Sequence, residues 1–137
     1  MEKTFAIIKP RAFQNNLTGA ILNRINSAGF RLSAIKSVKL NEDEAKTLYG
    51  IHMEKPFFNQ LIEFMTSGPI IVMVLEKENA IEDFRKLIGN TDPDKAEPGT
   101  IRRLYGRDKT MNAVHSADSS ENAKKEINHF FSQDEIY

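Results

Sequence analysis

The 137-residue sequence contains no cysteine. That absence excludes a disulfide scaffold, a Cys-ligated zinc site, an iron–sulfur cluster and a thiol nucleophile. It also has no excess of charge: Lys and Arg number 19, and so do Asp and Glu. A protein that grips DNA through non-specific phosphate contacts carries a basic surplus, so nucleic acid is not an expected partner. Long apolar runs are missing too. The longest, residues 70–75, falls far short of the ~20 needed to span a bilayer, and the first, residues 5–8, is too short for a secretory signal. The expectation is a cytoplasmic protein with no membrane partner. There is no G-x-x-x-x-G-K-[ST] phosphate loop, no G-x-G-x-x-G turn and no G-x-S-x-G elbow. If the chain handles nucleotides, its phosphate contacts come from scattered side chains. Internal repeats and low-complexity segments are likewise absent.

What is present fits a globular protein. Apolar residues make up 40% of the chain and charged residues 28%, a balance that supports a packed core. At this length one domain, 1–137, is expected. Residues 4–9 form an apolar run stopped by Pro10 and read as a first strand. Leu17, Ile21, Leu22, Ile25 and Ala28 recur at helical spacing before Gly29. Residues 30–40 alternate as a strand, with a slip near Ala34 and Ile35 that suggests a bulge. Asn41 with Glu44 forms a capping box for a helix carrying Ala45, Leu48 and Tyr49. After Lys55-Pro56, a further helix carries Phe57, Leu61, Ile62 and Met65 and ends at Gly68-Pro69. Residues 70–75 lack alternation and are rich in β-branched residues, as a strand buried on both faces would be. Asn79 with Glu82 reads as another capping box, heading a helix that ends at Gly89. Residues 90–111 are rich in turn formers with little core pattern, a long irregular stretch of the kind that carries function. A short strand near 111–115 follows. Asp118 with Glu121 caps a last helix with stripe Ala123, Ile127, Phe130 and Phe131.

This order predicts an α/β (α+β) fold: a ferredoxin-like split βαβ two-layer sandwich, its four-stranded antiparallel sheet covered by helices. A doubly wound parallel sheet is the alternative.

Cations gather at two places. Lys9 and Arg11 follow the first strand, and Arg102, Arg103, Arg107 and Lys109 crowd the irregular stretch. They form either a solvated basic loop or an anion site, where arginine forks match phosphate oxygens. Of three histidines, His129 reads as a helix-end residue and His52 as an ordinary residue near a helix end. His115 sits at a strand end just before a helix N-terminus. A neutral imidazole is a competent nucleophile when one ring nitrogen is free and the other is held by an acceptor. Glu126, on the flank of the last helix's stripe, is a candidate acceptor. On periodicity alone, Phe57 and Tyr49 also read as packing residues, Arg85 as an exposed helix charge and Thr91 as a turn former.

The segment Asn112-Ala113-Val114-His115-Ser116-Ala117-Asp118-Ser119 closely resembles the N-x-x-H-G-S-D signature of nucleoside diphosphate kinases. Further blocks resemble the family in the same order: Phe5-Ala6-Ile7-Ile8-Lys9-Pro10, Tyr49 with Lys55-Pro56-Phe57-Phe58, Ser67-Gly68-Pro69, Leu87-Ile88-Gly89-Asn90-Thr91-Asp92-Pro93, and Pro98-Gly99-Thr100-Ile101-Arg102. The resemblance implies reversible transfer of the γ-phosphate of a nucleoside triphosphate, typically ATP, to a nucleoside diphosphate. It implies a ping-pong route through a pros-phosphohistidine on His115, oriented by Glu126, and a role in maintaining nucleotide pools. It further implies that Lys9, Tyr49, Arg85, Thr91 and Arg102 supply the phosphate and His-proximal contacts. Asn112 and Lys9 would meet the sugar hydroxyl, and Phe57 would stack on the base, where stacking tolerates any base. Magnesium (Mg2+) is expected to ride on the nucleotide phosphates, with no metal ligands from the protein. The family also implies a homo-oligomer built from dimers, a tetramer or hexamer.

The chain departs from the family pattern at three places. Ser116-Ala117 stand where Gly-Ser is usual, removing a hydroxyl two residues after His115. Arg103-Leu104-Tyr105 replace a small residue, often an acid, and an aromatic. Lys109 stands where an apolar residue often lies against the base. Two other classes compete on the sequence: a nucleotide-binding regulatory domain without turnover, motivated by Ala117, and a single-stranded nucleic-acid module. The latter needs aromatics on its central strands, which residues 70–75 lack.

Overall fold

The two continuous apolar runs meet in the middle of one sheet. In a computed structural model describing residues 1–137, apart from the side chain of Ile51, β1 (Glu2–Ile8) and β3 (Ile70–Lys77) pair antiparallel. The strand order is β2-β3-β1-β4, with β2 (Arg31–Val38) and β4 (Val114–Ser116) at the edges. Every pairing is antiparallel, so the fold is the split βαβ sandwich expected from the element order, and the parallel alternative falls away.

Alternating side chains of the central strands enter opposite faces, and helices cover both. Ala6, Ile8, Ile71, Met73 and Leu75 pack with α2 (Thr18–Ser27) and α5 (Ala80–Ile88), the two crossover helices of the split βαβ unit. Phe5, Ile7, Val72 and Val74 pack with α3 (Glu42–Leu48), α4 (Phe58–Met65) and α7 (Ser120–Phe130). Burial on both sides explains why residues 70–75 show no polar alternation.

Local chemistry explains most boundaries, and four expectations change. Pro10 ends β1 and then opens a short helix, α1 (Pro10–Gln14), at the first position, where its missing N–H is no loss. The β2 irregularity falls between Leu32 and Ala34, one residue before the expected slip. The Asn41–Glu44 capping box is formed on both sides. The Asn79–Glu82 box is not. Asn79 is left-handed at φ 57° without a side-chain cap bond, and Glu2 Oε1 on β1 accepts the Ile81 N–H instead, at 2.8 Å. At α7 the cap is Ser119, which accepts the Asn122 N–H at 3.1 Å, and Asp118 accepts from the Asn122 side chain. The 90–111 stretch is more ordered than its composition suggests. It contains a 3-10 turn (Pro93–Lys95) and α6 (Ile101–Tyr105), whose Ile101 is fully buried. Its turn formers conceal a short helix because Thr100 caps α6 through the Arg103 N–H.

Candidate active site

β4 pairs only with β1, setting His115 opposite Ile7. Two residues earlier, Ala113 is left-handed at φ 76°, and the Val114 N–H bonds the Asn112 carbonyl at 3.0 Å. This is the strained form of the γ-turn. It is held by the Lys9 N–H, which donates to the Ala113 carbonyl at 2.9 Å. The turn directs Asn112 and His115 toward one cavity of about 830 Å³.

The His115 ring is fixed on three sides. Its Nε2 lies 2.8 Å from Glu126 Oε1, and Phe5 and Tyr49 meet it edge-on with centroids 6.1 and 5.6 Å away. A carboxylate at Nε2 accepts a proton there, which leaves the lone pair on Nδ1. Nδ1 makes no hydrogen bond among the described residues. Glu126 reaches the ring because α7 packs on β1.

Lys9, at the end of β1, is buried. Its Nζ donates to Asn112 Oδ1 at 2.8 Å and to the Thr110 carbonyl at 3.3 Å. Burial first, and the Arg102 guanidinium second, pull its pKa down to about 7, with Asp108 acting against them. The Asn112 amide donates to the Thr91 and Lys109 carbonyls at 3.1 and 3.0 Å. One residue thereby ties β1, the loop after α5 and the segment before β4. Arg102, in the first turn of α6, donates to the Gly89 and Val114 carbonyls at 3.1 and 3.0 Å. Burial lowers its pKa to about 10, opposed by Tyr49 and aided by Arg85, so it stays charged at neutral pH. Gly89 is left-handed at φ 87°, and a Cβ there would meet Thr100 Oγ1 at 2.6 Å, so the α5–α6 connection requires glycine.

Three polar atoms of residues lining the cavity are buried without partners: Tyr49 Oη, His52 Nδ1 and Arg102 Nε. The Tyr49 hydroxyl and the Arg102 Nε–H can donate, and buried donors need acceptors. An anion with several oxygens would supply them. Burial, then Glu126, raises the Tyr49 pKa, so its hydroxyl keeps its proton.

Every sequence-selected site residue lines this cavity: Lys9, Tyr49, Phe57, Arg85, Thr91, Arg102, Asn112 and His115, with Glu126 behind the ring. Phe57, 40% exposed, is no core residue. The cation cluster divides. Lys9, Arg102 and Lys109 line the cavity, whereas Arg11, Arg103 and Arg107 lie outside its lining. Arg11 and Arg103 donate to the Tyr105 and Asp94 carbonyls. Sequence reading missed His52, which lines the cavity 5.6 Å from the Phe57 ring, and Asn122, whose bond holds Asp118 ionised below the usual carboxylate range. The placement of His52 between Tyr49 and Phe57 was the available signal. Among the described residues no group of three or more His, Asp or Glu side chains is placed to hold a metal ion.

The family model described as nucleoside diphosphate kinase matches residues 2–136. The chain is 52% identical to the nucleoside diphosphate kinase of Campylobacter curvus, over 99% of both chains. It is 48% identical to that of Chlorobium limicola, over 99% of this chain and 97% of that protein. It superimposes on the Aquifex aeolicus nucleoside diphosphate kinase with a TM-score of 0.95 at 42% identity, over 99% of both chains. The Halobacterium salinarum enzyme in complex with CDP matches with a TM-score of 0.95 at 38% identity, over 99% of this chain and 91% of that one.

Proposed function

The chain belongs to the nucleoside diphosphate kinase family, and we propose that His115 carries the phosphoryl group in that family's reversible transfer from nucleoside triphosphates to nucleoside diphosphates. The observation that carries the assignment is the His115–Glu126 bond at 2.8 Å, which leaves Nδ1 for the cavity. In the first half-reaction the Nδ1 lone pair forms a bond to the γ-phosphorus, and the bond from that phosphorus to the β-bridging oxygen breaks. The nucleoside diphosphate leaves with that electron pair. In the second, a terminal β-phosphate oxygen of another diphosphate attacks the same phosphorus. The N–P pair then returns to Nδ1, so no proton need be lost overall.

Phosphoryl transfer passes through a loose transition state with charge spread over three equatorial oxygens, so catalysis means placing cations and donors. Lys9, Arg85 and Arg102 are the cations of this assignment, and Tyr49 Oη and Thr91 are its neutral donors. The two orphan donors support it, because they gain partners when phosphate enters. Asn112 and Lys9 serve the sugar hydroxyl: the Asn112 amide oxygen has one lone pair on Lys9 and a second to offer. Phe57 is the platform for the base.

The nucleotide enters as its magnesium complex. The cavity's donors suit phosphate oxygens better than a cation, which supports carriage of the metal by the substrate. Of the lining carboxylates Glu126 is engaged by His115 and Asp118 by Asn122. A homo-oligomer built from dimers belongs to the same proposal. It is supported by the edge position of β2 and the 43% exposure of its Ile35, and is tested by light scattering.

Intact-mass measurement after brief exposure to ATP tests the central assignment. The protein is expected to gain one phosphoryl group that is acid-labile and alkali-stable, and His115→Ala is expected to gain none. A label that persists in His115→Ala overturns the assignment.

A further inference from the structure

Of the three cations assigned to the phosphates, the fold holds two. Lys9 donates to Asn112 and the Thr110 carbonyl, and Arg102 to the Gly89 and Val114 carbonyls. Arg85, exposed on α5, lines the same cavity, and its guanidinium makes no hydrogen bond and no ion pair among the described residues. A free cation is open to capture by a neighbouring carboxylate. Two carboxylates line the cavity. Glu126 is bonded to His115 at 2.8 Å. Asp118 is held ionised, first by the Asn122 bond and to a lesser degree by the nearby charge of Arg85. Yet Asp118 does not pair with Arg85. Its Oδ1 accepts from the Asn122 side-chain amide at 2.6 Å, four residues further along the chain. Asn122 is itself fixed, since its backbone N–H donates to the Ser119 cap at 3.1 Å.

We infer that Asn122 is a positioning residue for phosphate binding: it holds the Asp118 carboxylate off Arg85, so that this guanidinium stays free for the phosphates of the nucleotide. The inference rests on the reading of Arg85 as a phosphate cation. An amide donor satisfies a carboxylate without cancelling its charge. Without that amide, Asp118 and Arg85 have each other as the neighbouring opposite charge, and an arginine fork matches a carboxylate as it matches a phosphate. Nucleotide must then displace Asp118 before Arg85 can bind it. Both groups are exposed, so the competition is modest, about fivefold, and screened by salt. A cost borne equally by bound substrate and transition state raises the half-saturating concentration and leaves the maximal rate unchanged.

The test is the rate at which the protein takes up phosphate from magnesium-ATP, read by intact mass after quenching, across a range of ATP concentrations at low salt. Asn122→Ala is expected to raise the half-saturating concentration about fivefold at an unchanged plateau rate, and high salt should shrink the difference to within about twofold. Asn122→Gln keeps the amide donor and is expected to stay within about twofold of wild type. In Asp118→Asn protein, which has no carboxylate to release, Asn122→Ala is expected to change nothing further. An unmoved half-saturating concentration in Asn122→Ala, a loss confined to the plateau, or a rise that persists in Asp118→Asn protein overturns the inference. Weakened saturation in Arg85→Ala then leaves the reading of Arg85 standing. Saturation unchanged in Arg85→Ala overturns both.

Discussion

His115 Nε2 and Glu126 Oε1 lie 2.8 Å apart, each side chain about 15% exposed, joining the edge strand β4 to helix α7. The bond fixes which imidazole nitrogen faces the cavity. Glu126→Ala is therefore expected to slow phosphorylation of His115 by about 10–100-fold, as loss of the partner that orients a working imidazole does elsewhere. Nucleotide affinity should change little. Glu126→Gln keeps an acceptor oxygen and should recover part of the rate. Quench-flow with ATP measures both; an Ala variant at wild-type rate would remove Glu126 from its positioning role.

Lys9 has a pKa of about 7 in the unliganded protein. A bound polyphosphate favours the charged form, so at pH 8 nucleotide binding should take up a proton, and at pH 6 it should not. Calorimetry in two buffers of different ionisation enthalpy reads this uptake, and Lys9→Gln should abolish it. The same shift affects stability. The folded pKa lies below the unfolded one, so the neutral folded form is favoured at high pH. Stability should fall as pH drops from about 10.5 to about 7 and level off below.

Arg102 bridges the Gly89 and Val114 carbonyls. Arg102→Ala should lower turnover by about 10²–10³-fold, the scale for losing a donor to transition-state charge. It should also reduce stability by about 1–3 kcal/mol through the two orphaned carbonyls. Arg102→Lys should rescue little, because one ammonium cannot span the same fork. Steady-state kinetics and urea melts separate the two effects.

The γ-turn at Ala113 is a strained feature of the site. Ala113→Val puts a β-branched residue at positive φ and should destabilise by about 1–3 kcal/mol. Ala113→Gly relieves the strain while loosening the unfolded chain and should stay within about 1 kcal/mol of wild type. Urea midpoints decide between these outcomes.

Glu2 caps α5 from another element, far from the cavity. Glu2→Ala should reduce stability by about 0.5–2 kcal/mol with unchanged turnover. A turnover loss in that variant would mean that α5 transmits strain to Arg85.

Much of this molecule was readable along the chain wherever its physics is local. Residues 70–75 declared a doubly buried strand by lacking alternation, and the Asn41–Glu44 box formed because both partners lie within one helical turn. The His115 motif and its companions pointed by resemblance to residues that line one cavity. What the chain could not display is distance. Lys9 and Asn112, 103 residues apart, meet at 2.8 Å because antiparallel β1 and β4 bring their ends together. The Asn79 box failed because Glu2, a strand away, satisfies the same helix end. Arg102 enters the cavity while its neighbour Arg103 turns to Asp94, since successive residues of a helix face different directions. The sequence by itself determined the four strands, the longer helices and which residue types could do the chemistry. Only the packing of helices on both faces of the sheet decided which nitrogen of His115 stays free and which cations surround it, because those depend on contacts between segments remote in the chain.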